Sequence, residues 1–202
     1  MTEPIIFIVD RDNLPKHYPT HRHTSTFWEG LGRTVATFSF LEDILKRAIF
    51  ALSATRAYSS ELELLTAYEK WNSKLETTLT DTLRKLSITY HTATQAHQEF
   101  SSESEKISEL VKAIKEASEI RNVLCHGSWG VPDSSGKSKP FFARKDFKGS
   151  KEIEIFETEV DVEFLQQVQK HTSDLVCEVM NSITSKGWKF PGWNNPGKPI
   201  FD

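Results

Sequence analysis

Apolar residues recur at three- and four-residue steps along most of this chain, the period of an α-helix with one buried face. The first stripe, Phe27, Leu31, Val35, Phe38, Leu41, Leu45 and Ile49, predicts a long helix from Thr26 to about Ser53. Gly30 and Gly32 weaken its first turns and permit close packing there. Ser59-Ser60 followed by Glu63 offers a helix start, because a serine cap and a glutamate three residues on satisfy free amides. The next stripe, Leu62, Leu65, Tyr68, Leu75, Leu79, Leu83 and Leu86, carries a second helix to about residue 95. Ser101-Ser102 with Glu105 starts a third, whose stripe runs Ile107, Leu110, Val111, Ile114, Ala117, Arg121 and Leu124 until Gly127 ends it. Asp161 is placed to cap a fourth, with Val162, Leu165, Val168, Leu175, Val179 and Ile183 on one face and Gly187 as its stop.

Each stripe has to be buried against another element, so the predicted fold is mainly α, an antiparallel four-helix bundle. Between the third and fourth helices, the turn formers of residues 130–138 precede two strand-like runs, Pro140 to Phe147 and Glu152 to Phe156. Joined by Lys148-Gly149-Ser150, these runs read as an inserted β-hairpin. At 202 residues, 38% hydrophobic and 26% charged, the chain reads as one globular domain. The bundle covers about 26–186, with an N-terminal arm over 1–25, a basic hairpin over 137–157 and an aromatic, Gly/Pro-rich tail over 187–202. That tail either packs along the body through Trp188, Phe190 and Trp193 or is loose.

The β-branched run at 4–10 reads as a strand or as an arm docking on the body. It lacks a basic leader and is too short for a signal-peptide core or a membrane span, so a cytoplasmic location without membrane association is expected. His17, His21 and His23 have no Cys or carboxylate partner at ligand spacing and read as a solvated loop rather than a metal site. No cofactor is expected. Cys125 and Cys177 lie in separate segments without CxxC spacing, as reduced thiols do.

Arg121 falls two heptads after Ile107, along the apolar stripe of the third helix. Burying a guanidinium costs several kcal/mol (order of magnitude) unless it is paired, so the position demands an explanation. Asn122 and His126, four residues apart, share one helix face, with Arg121 adjacent to Asn122. His126 also lies in the last turn, where a cation interacts favourably with the helix dipole. An imidazole can take the proton from a ribose 2′-hydroxyl or give one to the leaving oxygen. A guanidinium can stabilise the charge that develops at phosphorus, and the asparagine can hold the guanidinium or the phosphate in place. The same residues admit a structural reading, in which Arg121 pairs with Glu42, Asp43 or Glu119 and His126 caps its own helix.

The stretch Glu119-Ile120-Arg121-Asn122-Val123-Leu124-Cys125-His126-Gly127-Ser128-Trp129 resembles the signature of HEPN-domain proteins: an arginine, a polar neighbour, and a histidine after four to six intervening residues. Here the interval is four. The closely matching stretch is about ten residues, whereas the helix order agrees over roughly 26–186. The resemblance implies a helical bundle and, as in many members, a metal-independent endoribonuclease that leaves a 2′,3′-cyclic phosphate and a 5′-hydroxyl. It implies a homodimer with two motifs facing one cleft, and a place in toxin–antitoxin or antiviral defence with an antitoxin or defence-system partner. On that model Arg121 and His126 are the catalytic pair, Asn122 supports them, and Glu42 or Asp43 is the acidic residue of the first helix.

The hairpin is not a general part of such bundles. Between Lys137 and Lys151 it carries Lys137, Lys139, Arg144, Lys145, Lys148 and Lys151 against the single acid Asp146, in a chain of net charge −3. Lys139, Arg144, Lys145 and Lys148 are candidates for contacting an RNA backbone, with Phe141, Phe142 and Phe147 for stacking. A solvated hairpin that packs its Phe residues on the bundle is the alternative. For the whole protein the alternative is a non-catalytic dimeric scaffold or regulator. A nucleotide-binding role finds no phosphate-binding glycine loop.

Overall fold

The computed structural model of the chain describes residues 7–54, 60–145, 153–188 and 190. It is mainly helical: α1 (Ser25–Ala54), α2 (Glu61–Thr80), α3 (Leu83–Gln95), α4 (Ser104–His126) and α5 (Val162–Thr184), with a 3₁₀ turn, Gln98–Glu103, before α4. Four short strands follow α4: β1 (Ser128–Trp129), β2 (Pro140–Phe141), β3 (Ala143–Lys145) and β4 (Ile153–Ile155).

α1 is the centre of the packing. It lies along α5 and α3, and α4 closes against α3 and α5. The predicted first stripe is the buried one, with Phe27, Phe38, Leu41, Leu45 and Ile49 in the core. At Gly30 a Cβ would stand 3.5 Å from Leu165 of α5. One turn on, the buried Thr34 hydroxyl donates to the Gly30 carbonyl and lies 3.2 Å from the Leu165 carbonyl oxygen. The 3.5 Å distance is an ordinary contact and a Cβ at Gly32 would meet nothing within 4 Å, so neither glycine is required for the α1–α5 packing.

The predicted second helix is two helices. Asp81 and Thr82 are extended (ψ 146° and 157°), and α3 restarts with the Leu86 amide donating to the Thr82 carbonyl. Thr80-Asp81-Thr82 is a run of side chains that compete for backbone hydrogen bonds and weaken helix continuation. Ser60 caps α2 as predicted, its hydroxyl accepting from the Glu63 amide. Past the break Leu83, Leu86 and Tyr90 enter the core, while Leu62, Leu65, Tyr68 and Leu79 of α2 stay exposed.

The Tyr90 hydroxyl lies 2.6 Å from Ser182 Oγ of α5. Burial pushes its pKa up to about 12; the Ser182 hydrogen bond acts the other way and the nearby Glu103 charge adds to the rise. Lys186 pairs with Glu103 and lies 5.9 Å from the centre of the Phe100 ring. Trp188 packs edge-on to His97 and Phe100, and Phe190 is buried, so the start of the predicted tail docks on the body. Trp193 lies outside the described residues.

The hairpin differs from its predicted form. Its first run divides: Pro140-Phe141 turns back to pair with β1, Ser128 opposite Phe141 and Trp129 opposite Pro140. Of its described residues, Ala143–Lys145 pair with β4 in antiparallel register, and beyond them the Phe156 amide donates to the Phe142 carbonyl. The turn at Asp133 explains the division. Its carboxylate accepts from the Ser135 hydroxyl and amide and from the Lys137 amide, contacts that hold the carboxyl below its ordinary range. Gly136 at φ 82° completes the reversal, and the chain returns along β1 before entering β3. The expected connection at Lys148-Gly149-Ser150 lies outside the described residues.

α5 is capped as predicted: the Asp161 carboxylate accepts from the Phe164 amide at 2.8 Å, and the helix stops before Gly187, φ 76°. Of the run at 4–10, residues 7–9 are exposed and form no strand; residues 4–6 lie outside the described residues. Cys125 and Cys177 are free thiols. No described helix is long and apolar enough to cross a membrane.

Candidate functional site

The end of α4 is built by three neighbours: α1, the β1–β2 pair and the N-terminal arm. Gly127 closes the helix, its amide donating to the Val123 carbonyl at 2.8 Å. The glycine is needed for space and not for a left-handed turn, since its backbone is extended at φ −68°. A Cβ there would stand 2.6 Å from the Val123 carbonyl oxygen and 2.9 Å from Pro140 Cβ. β2 therefore rests directly on the helix end.

Arg121 is half-buried and reaches from α4 to α1. Its Nη2 lies 3.6 Å from Glu42 Oε1, with the two side chains 31% and 18% exposed. Its Nη1 donates to Asn122 Oδ1 at 3.3 Å. These contacts answer the demand for a partner made by its place on the stripe. Of the other acids considered, Asp43 binds Arg47 at 2.7 Å and Glu119 lies 3.3 Å from Arg84, so neither holds Arg121 in the contacts seen. Asn122 and His126 are both exposed. The Gly127 amide satisfies the Val123 carbonyl, and among the described residues no hydrogen bond joins His126 to its own helix.

Arg121 and His126 are five residues apart, which places them roughly 140° apart around the helix axis. The guanidinium is directed to the α1 side and the imidazole faces solvent at the helix tip. Within one chain the arginine is gathered with Glu42 and Asn122, and the histidine lies one turn on from Asn122 on the same exposed face.

The arm contributes what the sequence reading missed. His23 Nε2 lies 2.9 Å from the Gly130 carbonyl oxygen, just past β1, and the ring stacks on Phe27 at 4.2 Å. Trp129 meets both rings edge-on, and Trp28 Nε1 donates to the Thr20 carbonyl at 2.7 Å. His23 is thus a structural staple rather than part of a solvated loop. No local signal finds it, since His23 precedes α1 and the carbonyl that holds it lies 107 residues away. His21 is partly buried and stacks on Tyr18. Among the described residues no His, Cys, Asp or Glu group has metal-site geometry.

Of the basic candidates, Lys139 is exposed between the buried Ser138, bridged to Val160, and the buried Pro140. The backbones of Arg144 and Lys145 pair with Glu154 and Ile153; their side chains, and all of Lys148, lie outside the described residues. Phe141 is exposed and Phe142 half-buried. Compared with protein-family models, curated proteins and solved structures, the chain finds no match.

Proposed function

We propose that this chain is a metal-independent endoribonuclease of toxin or antiviral-defence type, a HEPN-like four-helix bundle in which α4 runs against the other three helices, acting as a homodimer. The bundle helices are α1, α3, α4 and α5. The observation that carries the reading is the state of Arg121: a guanidinium at the third-stripe end, held by Glu42 and Asn122 yet with part of its surface open. It is fixed in direction and still free to meet a phosphate, which preorganised stabilisation of a developing charge requires.

The imidazole of His126 takes the 2′-hydroxyl proton, the 2′-oxygen attacks phosphorus, and the P–O5′ bond breaks. The products are a 2′,3′-cyclic phosphate and a 5′-hydroxyl, the latter receiving its proton from the imidazole of the second copy. The wide angle between Arg121 and His126 on one helix supports the composite cleft, in which each copy supplies what the other turns away. Asn122 positions Arg121, and Glu42 is the supporting acid. Lys139, Arg144, Lys145 and Lys148 hold the RNA backbone beside the motif. An antitoxin or another defence component is the natural protein partner.

A second reading, a non-catalytic dimeric scaffold, draws on the same ion pair, since Glu42 already neutralises Arg121. Purified protein incubated with structured and unstructured RNAs in EDTA separates the two. The enzyme cleaves, the ends are cyclic phosphate and 5′-hydroxyl, and His126→Ala and Arg121→Ala lose cleavage while keeping the wild-type circular dichroism. Absence of cleavage on every RNA, with no growth defect on expression, selects the scaffold.

A further inference from the structure

A cavity among the described residues lies away from the hairpin. It is a groove of about 1000 Å³ between α1, α2 and α3. Ile49, Phe50 and Leu52 of α1, Leu79 of α2, and Ile88 and Ala93 of α3 give it an apolar lining. Along α1 it runs from Asp43 to Ser53, about 15 Å at the rise of an α-helix. His97 Nε2 lies 2.7 Å from the Leu52 carbonyl oxygen, so the ends of α1 and α3 meet at one end of the groove. That end is apolar, with Ala93 and Ala96, and the opposite end carries Asp43, Lys46, Arg47 and Asp81.

The charges are not balanced within the groove. Asp43 is taken by Arg47 and Asp81 by Lys85. Among the described residues Lys46 and Lys70, which also line the groove, have no carboxylate partner. An apolar slot of this size with a few convergent polar groups is the usual form of a small-ligand site. Two ammonium groups beside it without a carboxylate partner among the described residues favour an anion.

We propose that this groove binds a fatty acid, its acyl chain along Ile49, Leu52, Ile88 and Ala93 and its carboxylate against Lys46 and Lys70. The lining removes the chain from water, and the two lysines distinguish an acid from a neutral lipid of equal length. The site is independent of Arg121 and His126 and of any ribonuclease activity.

The test uses the full chain and a dansyl-labelled undecanoic acid as fluorescent probe, displaced by laurate or by dodecanol. The expected result is saturable probe binding, displaced at least about tenfold better by laurate than by the alcohol. The double variant Lys46→Glu/Lys70→Glu loses that preference. Ala96→Trp, a surface change that fills the apolar end, abolishes binding with an unchanged melting temperature. Equal displacement by acid and alcohol overturns the proposal, as does wild-type probe affinity in a folded Ala96→Trp. Absence of saturable binding also overturns it. So does a wild-type dimer that excludes the probe and becomes a monomer in Ile88→Glu, since a second copy then covers the groove.

Discussion

α2 and α3 lie next to each other in the chain and carry the same kind of apolar stripe, but they meet different fates. α3, at 13 residues, buries Leu83, Leu86 and Tyr90. α2, at 20 residues, shows no buried side chain among those described, and Leu62 and Leu65 are 74% and 53% exposed. Period decides that a segment is a helix; it does not decide whether the helix finds a core. α3 does so because the break at Asp81-Thr82 resets its direction against α1 and α4, whereas the described residues of α2 pack chiefly on α1. Helices shorter than the surrounding body owe most of their stability to such packing.

The comparison breaks or holds on four measurements. The largest difference is expected between Leu86→Ala and Leu65→Ala in urea unfolding. A fully buried leucine costs about 2–5 kcal/mol when truncated, and an exposed one changes stability by no more than about 0.5 kcal/mol. Equal losses would place α2 in the core.

Tyr90 gives α3 a pH signature. Its folded-state pKa lies above the ordinary 10.0, so its contribution is complete below pH 10 and is lost as pH rises from there through about 12. Over that window stability falls by on the order of 2–3 kcal/mol from this group, and Tyr90→Phe removes that part of the slope. The same alkaline slope in the variant would count against it.

The helix ends supply the smaller effects. Gly127→Ala drives a methyl into the Val123 carbonyl and Pro140, and is expected to cost about 1–3 kcal/mol by chemical denaturation. Thr82→Pro should do the reverse. Thr82 has φ −69° and Asp81 before it ψ 146°, both suited to proline, so a gain of about 0.4–1 kcal/mol is expected. A loss there would mean that α2 and α3 form one continuous helix in solution.

Much of this was legible in the residues. The stripes of α1, α4 and α5, the Ser60 and Asp161 caps and the Gly187 stop follow from local spacing and side-chain chemistry. The Arg121–Glu42 pair was one of three pairings that the burial argument allowed. What escaped were events set by distant contacts. A stripe through Leu79 and Leu83 looks continuous because the period barely registers two extended residues between them. Pro140-Phe141 prefers β1 to β4 because of the turn at Asp133 and the space at Gly127, and neither is visible from strand propensity. His23 was misread because its partner, Gly130, lies 107 residues away.

That separation has a consequence for how the molecule is made. The arm leaves the ribosome well before α4 and β1 and cannot bind them until they have followed it. Helical turns form locally and early, whereas closing so long a span comes late and is reached only after the helices are in place. The tip of α4, with Asn122 and His126, is therefore covered on its aromatic side in one of the last steps of assembly, by a segment synthesised well before it.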